Sequence, residues 1–159
     1  MNLFQKFVLH PLETKYVEIP LLYDTLPTKT DFETEASSQN PYAASRAKKW
    51  LKHLNTGKQL PTSYPYPMGL WRLGKQVEWI TMGGEVVVDY ALQFKEAYGN
   101  HVWIAGYSHD VMAYIPSKRV WLEGGYEGGG AMVYYGQPTR WSFDVEHQVS
   151  QAIQRLMNE

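Results

Sequence analysis

The segment 77–106 constrains the fold more than any other part of the sequence. It holds an alternating run (77–82), a Gly-Gly pair, a run with apolar residues at helical intervals (85–98) and a short apolar run (101–106). This order is typical of a strand, a helix and a second strand. Strands that are joined through a helix run parallel in the same sheet. The sequence therefore predicts an α/β fold with a partly parallel sheet, and a mixed α+β arrangement remains open.

The other periodic segments predict helices around this sheet and an antiparallel hairpin. The predicted strands are 15–22, 68–73 and 131–135, and the predicted helices are 41–54, 117–123 and 143–157. Asn40 is placed to cap the helix at 41–54, and Gly57 to end it. Residues 26–40 are expected to form a polar connector with one short helix. We expect the chain, 1–159, to be a single domain or part of one.

Composition excludes several classes of function. The net charge is −1 and no long basic run is present, so neither nucleic acid nor an anionic membrane is an expected partner. The absence of cysteine excludes disulfides and cysteine-based zinc sites. No stretch is long and apolar enough for a membrane span. The first sixteen residues lack the apolar core of a signal peptide, which leaves the compartment unknown, a secreted or periplasmic parent protein included.

Glu85 is the first candidate functional residue. It follows Gly84 at the carboxyl end of a predicted strand, the edge where open α/β sheets bind ligands. A carboxylate at this edge can bind a metal ion or act as a base. The alternative is that Glu85 only stabilises the positive end of the helix dipole, and position alone favours that alternative.

A second group of candidates falls in an irregular stretch after the second strand of the unit. Its polar members are Ser108, His109, Asp110, Tyr114 and Tyr126. A tyrosine phenol can donate a hydrogen bond to a developing oxyanion, although buried tyrosines are also common in ordinary cores. The glycine run at 124–130 has neither Walker nor Rossmann spacing, so it indicates a close approach of the backbone to another group.

Three linked motifs give these weak signals a common interpretation. They are SYPYPMGLWRLG, ITMGGEVVVDYALQFKE and AGYSHDVMAYIPSKRVWLEGGYEGGGAMVYYG, which together run from about 62 to 136. Their succession resembles the last third of the catalytic domain of neutral/alkaline, non-lysosomal ceramidases, and more closely the bacterial ceramidase-like proteins of that family. The resemblance implies a hydrolase of sphingolipid metabolism that cleaves the N-acyl amide of ceramide at a single zinc ion.

The resemblance also implies roles for individual residues. Glu85, in its Gly-Glu step, and Tyr114, in its Tyr-Ile-Pro step, match two metal ligands of the family. Tyr126 matches the tyrosine that stabilises the amide oxygen and is the implied catalytic residue. The residues assigned to the substrate are Ser108, His109, Asp110 and Gly128.

The sequence departs from the family pattern in ways that affect activity. The two histidine ligands, an arginine and a further histidine of the family site lie earlier in the domain and have no counterpart in this sequence. The zinc ligand set is therefore incomplete, and we expect the chain to be inactive alone. His109, Val111 and Pro116 replace family residues, which affects the expected lipid substrate more than the amide chemistry.

Two main readings of function remain open, and a third, less favoured one is that the chain completes a zinc site by oligomerising and using His101 or His109. In the first, the chain is the C-terminal portion of a zinc-dependent amidohydrolase. Its partners are then the remainder of the catalytic domain and a lipid amide or other small-molecule substrate. In the second, the chain retains the fold as a non-catalytic module that binds a ligand or partner. In either case a homo-oligomer is a further expected state, because incomplete domains expose apolar surface.

Overall fold

The computed structural model describes residues 12–158. The strands are β1 (Leu12–Leu22), β2 (Ser63–Leu73), β3 (Val77–Met82), β4 (Glu85–Val86), β5 (Val102–Ala105) and β6 (Tyr114–Ile115). The helices are α1 (Lys29–Glu35), α2 (Pro41–Leu54), α3 (Val88–Tyr98), α4 (Lys118–Glu123), α5 (Ala131–Tyr134) and α6 (Val145–Asn158). The prediction that the first sixteen residues lack a signal peptide falls mostly on residues 1–11, which lie outside the described part. Residue 159, the last of the predicted domain, also lies outside it.

A four-stranded mixed sheet forms the centre, in the order β1-β2-β3-β5. β1 and β2 pair antiparallel over their full length, and β2 and β3 form an antiparallel hairpin. β3 and β5 pair in parallel, and α3 lies between them in the chain. The predicted α/β fold with a partly parallel sheet, flanking helices and a C-terminal helix is confirmed.

The main core lies between one face of this sheet and the helices. Leu70, Ile80 and Met82 point to this face and are almost fully buried. From α6, the predicted apolar face is buried against them, with Val149 and Ile153 fully inaccessible. Burial of each such side chain contributes about 1.5–3 kcal/mol. The hydrophobic effect thus fixes which face of the sheet carries the helices.

The predicted helix at 41–54 is confirmed at both ends. The Asn40 side chain accepts from the N–H groups of Tyr42 and Ala43, and Pro41 occupies the first turn, where its missing donor costs nothing. The helix ends at Leu54, and Gly57 lies in the turn beyond it at a φ of 81°. α1 and α2 enclose a second small core around Phe32, Ala47 and Trp50.

Two predicted elements differ from the structure. The helix expected from residue 85 begins at Val88, because Glu85 and Val86 extend as strand β4 and pair with β6. β-branched residues at 86–88 favour this extended path. The strand predicted at 131–135 is wrong: this segment forms α5, which follows a π-type turn over Tyr126–Gly130 that is kinked at Gly129, where φ is 155°.

Among residues 12–158, no helix combines the length and the apolar character needed to cross a membrane.

Candidate functional site

The short ladder between β4 and β6 places Glu85 directly opposite Tyr114. Gly84, with a φ of 71°, turns the chain from β3 into β4, and its N–H donates to Asp110 O at 2.7 Å. The Glu85 N–H donates to Ala113 O at 2.8 Å. A Cβ atom on residue 84 would lie 2.6 Å from Ala113 O. Glycine is therefore required at position 84, because a side chain there would prevent the close approach of the two strands that places Glu85 beside Tyr114.

Two tyrosines hold the Glu85 carboxylate from opposite sides. The Tyr107 hydroxyl donates to Oε2 at 2.7 Å, and the Tyr135 hydroxyl donates to Oε1. Tyr107 adopts a φ of 53°, an uncommon conformation for a residue with a side chain. Both carboxylate oxygens thus accept a charge-assisted hydrogen bond, which orients the group.

Tyr114 and Tyr126 complete the cluster. Their ring centroids are 5.6 Å apart at an interplanar angle of 70°. Hydrogen bonding to Glu85, followed by burial, raises the pKa of Tyr114 to about 12. Hydrogen bonding to the same carboxylate raises the pKa of Tyr107. These two phenols are therefore protonated donors at neutral pH. We name Glu85 and the tyrosines 107, 114, 126 and 135 the tyrosine cluster.

Polar contacts outside the ladder hold β4 and β6 together. Asp89, just after β4, accepts hydrogen bonds from Ser117 and Arg119, just after β6. The bond from Arg119, then that from Ser117, lowers the pKa of Asp89. The Tyr114 carbonyl also accepts from Trp141 Nε1 at 2.8 Å. Hydrogen bonds outside the two-residue ladder therefore help to hold β4 and β6 together.

The structure brings together three of the seven predicted site residues: Glu85, Tyr114 and Tyr126. The side chains of the other polar candidates make contacts elsewhere. His109 Nε2 is 3.0 Å from Thr81 Oγ1, and Asp110 accepts from the Tyr64 hydroxyl. The Ser108 hydroxyl donates to two nearby carbonyls of its own loop. Their assignment to a substrate stays a prediction.

Gly128, the last predicted residue, is buried within the π-type turn. A Cβ atom there would lie 2.5 Å from Val120 O, the backbone of α4. The side chain is therefore excluded by packing against α4, and this packing sets the position of Tyr126 at the start of the turn. The assignment of Gly128 to the substrate likewise stays a prediction.

The predicted zinc ion can be tested against these side chains. A protein zinc site takes about four ligands, with histidine, cysteine and carboxylate preferred. Among residues 12–158, no group of three or more such side chains could hold a metal ion. Glu85 and Tyr114 supply one carboxylate and one phenol. The zinc ion and its incomplete ligand set stay a prediction.

Sequence reasoning missed Tyr107 and Tyr135 as members of the cluster. Tyr107 lies in the stretch that was considered, but no spacing rule connects it to Glu85. Tyr135 lies 50 positions from Glu85 in the sequence and within a segment that was expected to be a strand. Only the helical path of α5 brings its hydroxyl to the carboxylate.

Comparisons with protein-family models, with curated proteins and with solved structures found no match. The functional interpretation therefore depends on the motifs and on the geometry of the tyrosine cluster.

Proposed function

We propose that this chain supplies one part of the active site of a zinc-dependent amide hydrolase that resembles neutral ceramidase. The observation that supports the proposal is the convergence of Glu85, Tyr114 and Tyr126. Two of the motifs assign roles to these residues from sequence alone: Glu85 lies in one of them, and Tyr114 and Tyr126 lie in the other. The ladder between β4 and β6 brings these two motifs together.

The chemistry of the cluster suits amide hydrolysis. As the carbonyl carbon of an amide is attacked, negative charge develops on its oxygen, and a nearby phenol can donate a hydrogen bond to that oxygen. Tyr126 is 56% exposed beside Tyr114, so a substrate can reach it. Tyr107 and Tyr135 fix the orientation of the Glu85 carboxylate beside Tyr114.

The remaining metal ligands are proposed to come from the remainder of the catalytic domain. Zinc prefers imidazole nitrogen, and residues 12–158 hold no group of three or more His, Asp or Glu side chains that could bind a metal ion. The chain alone is therefore expected to bind little zinc and to show no hydrolysis. The proposed substrate is the N-acyl amide of a lipid. The exposed side chains of Tyr107, Val111 and Tyr126 offer apolar surface for an acyl group.

The test is hydrolysis of a fluorescent N-acylsphingosine by the polypeptide that the uninterrupted reading frame encodes. Glu85→Gln should reduce kcat/KM by at least about 100-fold, because it removes an ionised group from the reacting centre. Glu127→Gln is the matched control, since Glu127 is an exposed carboxylate next to Tyr126. Activity within twofold of the parent after Glu85→Gln, with about as much zinc bound, would contradict the proposal.

Tyr126→Phe separates catalysis from metal binding. It should lower kcat while the zinc content measured by elemental analysis stays the same. An equal loss of zinc and of kcat would assign Tyr126 a structural role.

The alternative function is a non-catalytic module that binds a ligand or partner. One observation favours it: both oxygens of Glu85 already accept hydrogen bonds from Tyr107 and Tyr135. Saturable binding of the lipid amide without turnover, in zinc-saturated protein from the full reading frame, would support this alternative.

A further inference from the structure

The four-stranded sheet exposes a row of three tryptophans on the face opposite the helices. Trp71 pairs with Trp79 across β2 and β3, and Trp79 pairs with Trp103 across β3 and β5. Their side chains are 40%, 47% and 58% exposed. Neighbouring strands lie about 4.8 Å apart, so the row extends across three adjacent strands without a gap.

The rows on either side are also uncharged. We name this surface the tryptophan face. It consists of Leu12, Leu73 and Val77 in one row, Thr14, Trp71, Trp79 and Trp103 in the next, and Tyr16, Gly69, Thr81 and Ala105 in the third. None of these residues carries a charge, although 19% of the chain is charged. Lys95, near Trp103, and Glu18, bonded to Tyr16, lie at its margins. The His109 ring lies on the third row, 5.3 Å from the Tyr16 ring and with Nε2 3.0 Å from Thr81 Oγ1.

Such a face is unusual for a sheet that meets water. Antiparallel strands with one solvated side normally alternate apolar residues towards the core and polar residues outwards. Here the inward residues, such as Ile80, are buried beneath helices, while the outward residues between them are tryptophans. Large apolar patches on a protein surface indicate interaction sites. The tryptophan face is therefore a candidate interaction surface.

We propose that the tryptophan face is the contact surface of a homodimer, in which two copies of the chain pack sheet against sheet. The exposed fractions of the three tryptophans, together with Tyr16 (57%) and Leu12 (56%), correspond to roughly 500 Å² of apolar surface. A standard interface takes about 800 Å² from each partner. Five side chains thus supply more than half of one partner's share.

A second copy fits this surface better than a polar ligand. A two-fold dimer needs a self-complementary patch, and an uncharged row centred on Trp79 can meet the partner's Trp79 without repulsion. A sugar or peptide would need free hydrogen-bonding groups beside the indoles. The Tyr16 hydroxyl already donates to Glu18 at 2.6 Å, and Thr81 Oγ1 lies 3.0 Å from His109 Nε2, which leaves Thr14 and the indole N–H groups for such contacts. The dimer does not depend on the proposed hydrolase chemistry.

Sedimentation equilibrium of the purified chain tests the dimer. Between about 1 and 100 µM the mean mass should rise from one chain towards two, as expected for an interface at the small end of the range. Trp79→Arg should weaken the dimer by at least about 30-fold, since it places a charge at the centre of the contact. The matched control is Leu92→Arg, because Leu92 is 64% exposed on α3, on the opposite side of the sheet.

Two results would overturn the proposal. One is a protein that stays monomeric at every concentration and whose indole fluorescence is quenched equally by iodide at low and high protein concentration. This measurement needs no variant, and that outcome would indicate another kind of occupant on the tryptophan face. The other is a dimer that Leu92→Arg weakens as much as Trp79→Arg does, which would place the contact on the helices. Far-UV circular dichroism of both variants should match the parent, so that a weaker dimer reports the interface.

Discussion

The four-stranded sheet and the ladder between β4 and β6 differ in length and in what stabilises them. β1 and β2 share eleven residue pairs, whereas β4 and β6 share two. The large sheet is held by its own backbone hydrogen bonds and by the helices packed on its inner face. The short ladder depends on contacts beyond itself: the close approach at Gly84, the hydrogen bonds to Asp89, and the phenols on Glu85.

This difference matters because the candidate site lies on the short ladder. A ladder of two residue pairs has little cooperative stability of its own. Its geometry can therefore be changed without unfolding the sheet beside it. Substitutions at Gly84, at Asp89 and at the tyrosines that bind Glu85 should separate the two regions. Their expected effects on the free energy of unfolding decrease in that order.

The largest effect is expected from Gly84→Ala. The new Cβ would meet Ala113 O at 2.6 Å, and the φ of 71° is strained for alanine. We expect a loss of about 3 kcal/mol in the free energy of unfolding, measured by urea denaturation.

Gly57→Ala is the control, since Gly57 has a similar φ of 81° but no atom within 4 Å of its Cβ position. It should cost only about 1 kcal/mol, the strain alone. Equal losses in the two variants would show that the approach of Gly84 to β6 adds nothing to stability.

Asp89→Asn should have an intermediate effect. It weakens the hydrogen bonds from Ser117 and Arg119 that tie α3 to α4. Because Arg119 is largely exposed, we expect a loss of about 1 kcal/mol at neutral pH. Glu123→Gln, which affects only the bond within α4 to Arg119, is the control and should cost less.

The pH dependence gives a second measure of the same link. The pKa of Asp89 is lowered in the folded chain, so its contribution is present above the pKa of the unfolded chain, about 3.9. It is lost as the pH falls through the lower, folded value. The difference in unfolding free energy between parent and Asp89→Asn should therefore shrink below pH 4; a constant difference down to pH 2 would contradict the link.

The smallest effects are expected from single phenol removals. Tyr135→Phe should cost about 1 kcal/mol, since Tyr135 is half-buried and donates to an ionised carboxylate. Tyr107→Phe should cost less than Tyr135→Phe, because Tyr107 is 65% exposed. The order would be reversed if the loop of Tyr107 were the main support of Glu85.

The sequence predicted the large sheet well because local signals agreed with the tertiary fold there. The alternating run 77–82, the antiparallel hairpin and the capped helix at 41–54 each carry their own signal, and all three agree with the fold. Strands β1 and β2 begin at Leu12 and Ser63, earlier than the predicted starts at 15 and 68. Strand β4 carried a conflicting signal: its apolar spacing fits a helix, but pairing with β6 overrides it. Two-residue strands cannot be recognised from periodicity.

The site was predicted in part, for the same reason. Glu85, Tyr114 and Tyr126 were found because short motifs contain them. Tyr107 and Tyr135 were not, since their roles arise from a φ of 53° and from the path of α5, and neither leaves a local pattern. The contact between Asp110 and Tyr64 also joins distant parts of the chain, so no spacing rule could assign it.

The π-type turn and α5 together have a dynamic consequence. Tyr126 begins this segment and Tyr135 ends it. A backbone hydrogen bond from Ala131 N–H to Tyr126 O connects the turn to α5, and one from Tyr135 N–H to Ala131 O closes the helix. If the segment moves as one body, the Tyr126 ring leaves Tyr114 at the same moment as the Tyr135 hydroxyl leaves Glu85. NMR relaxation dispersion should then give both rings a single exchange rate, and access to Glu85 would be governed by one opening event.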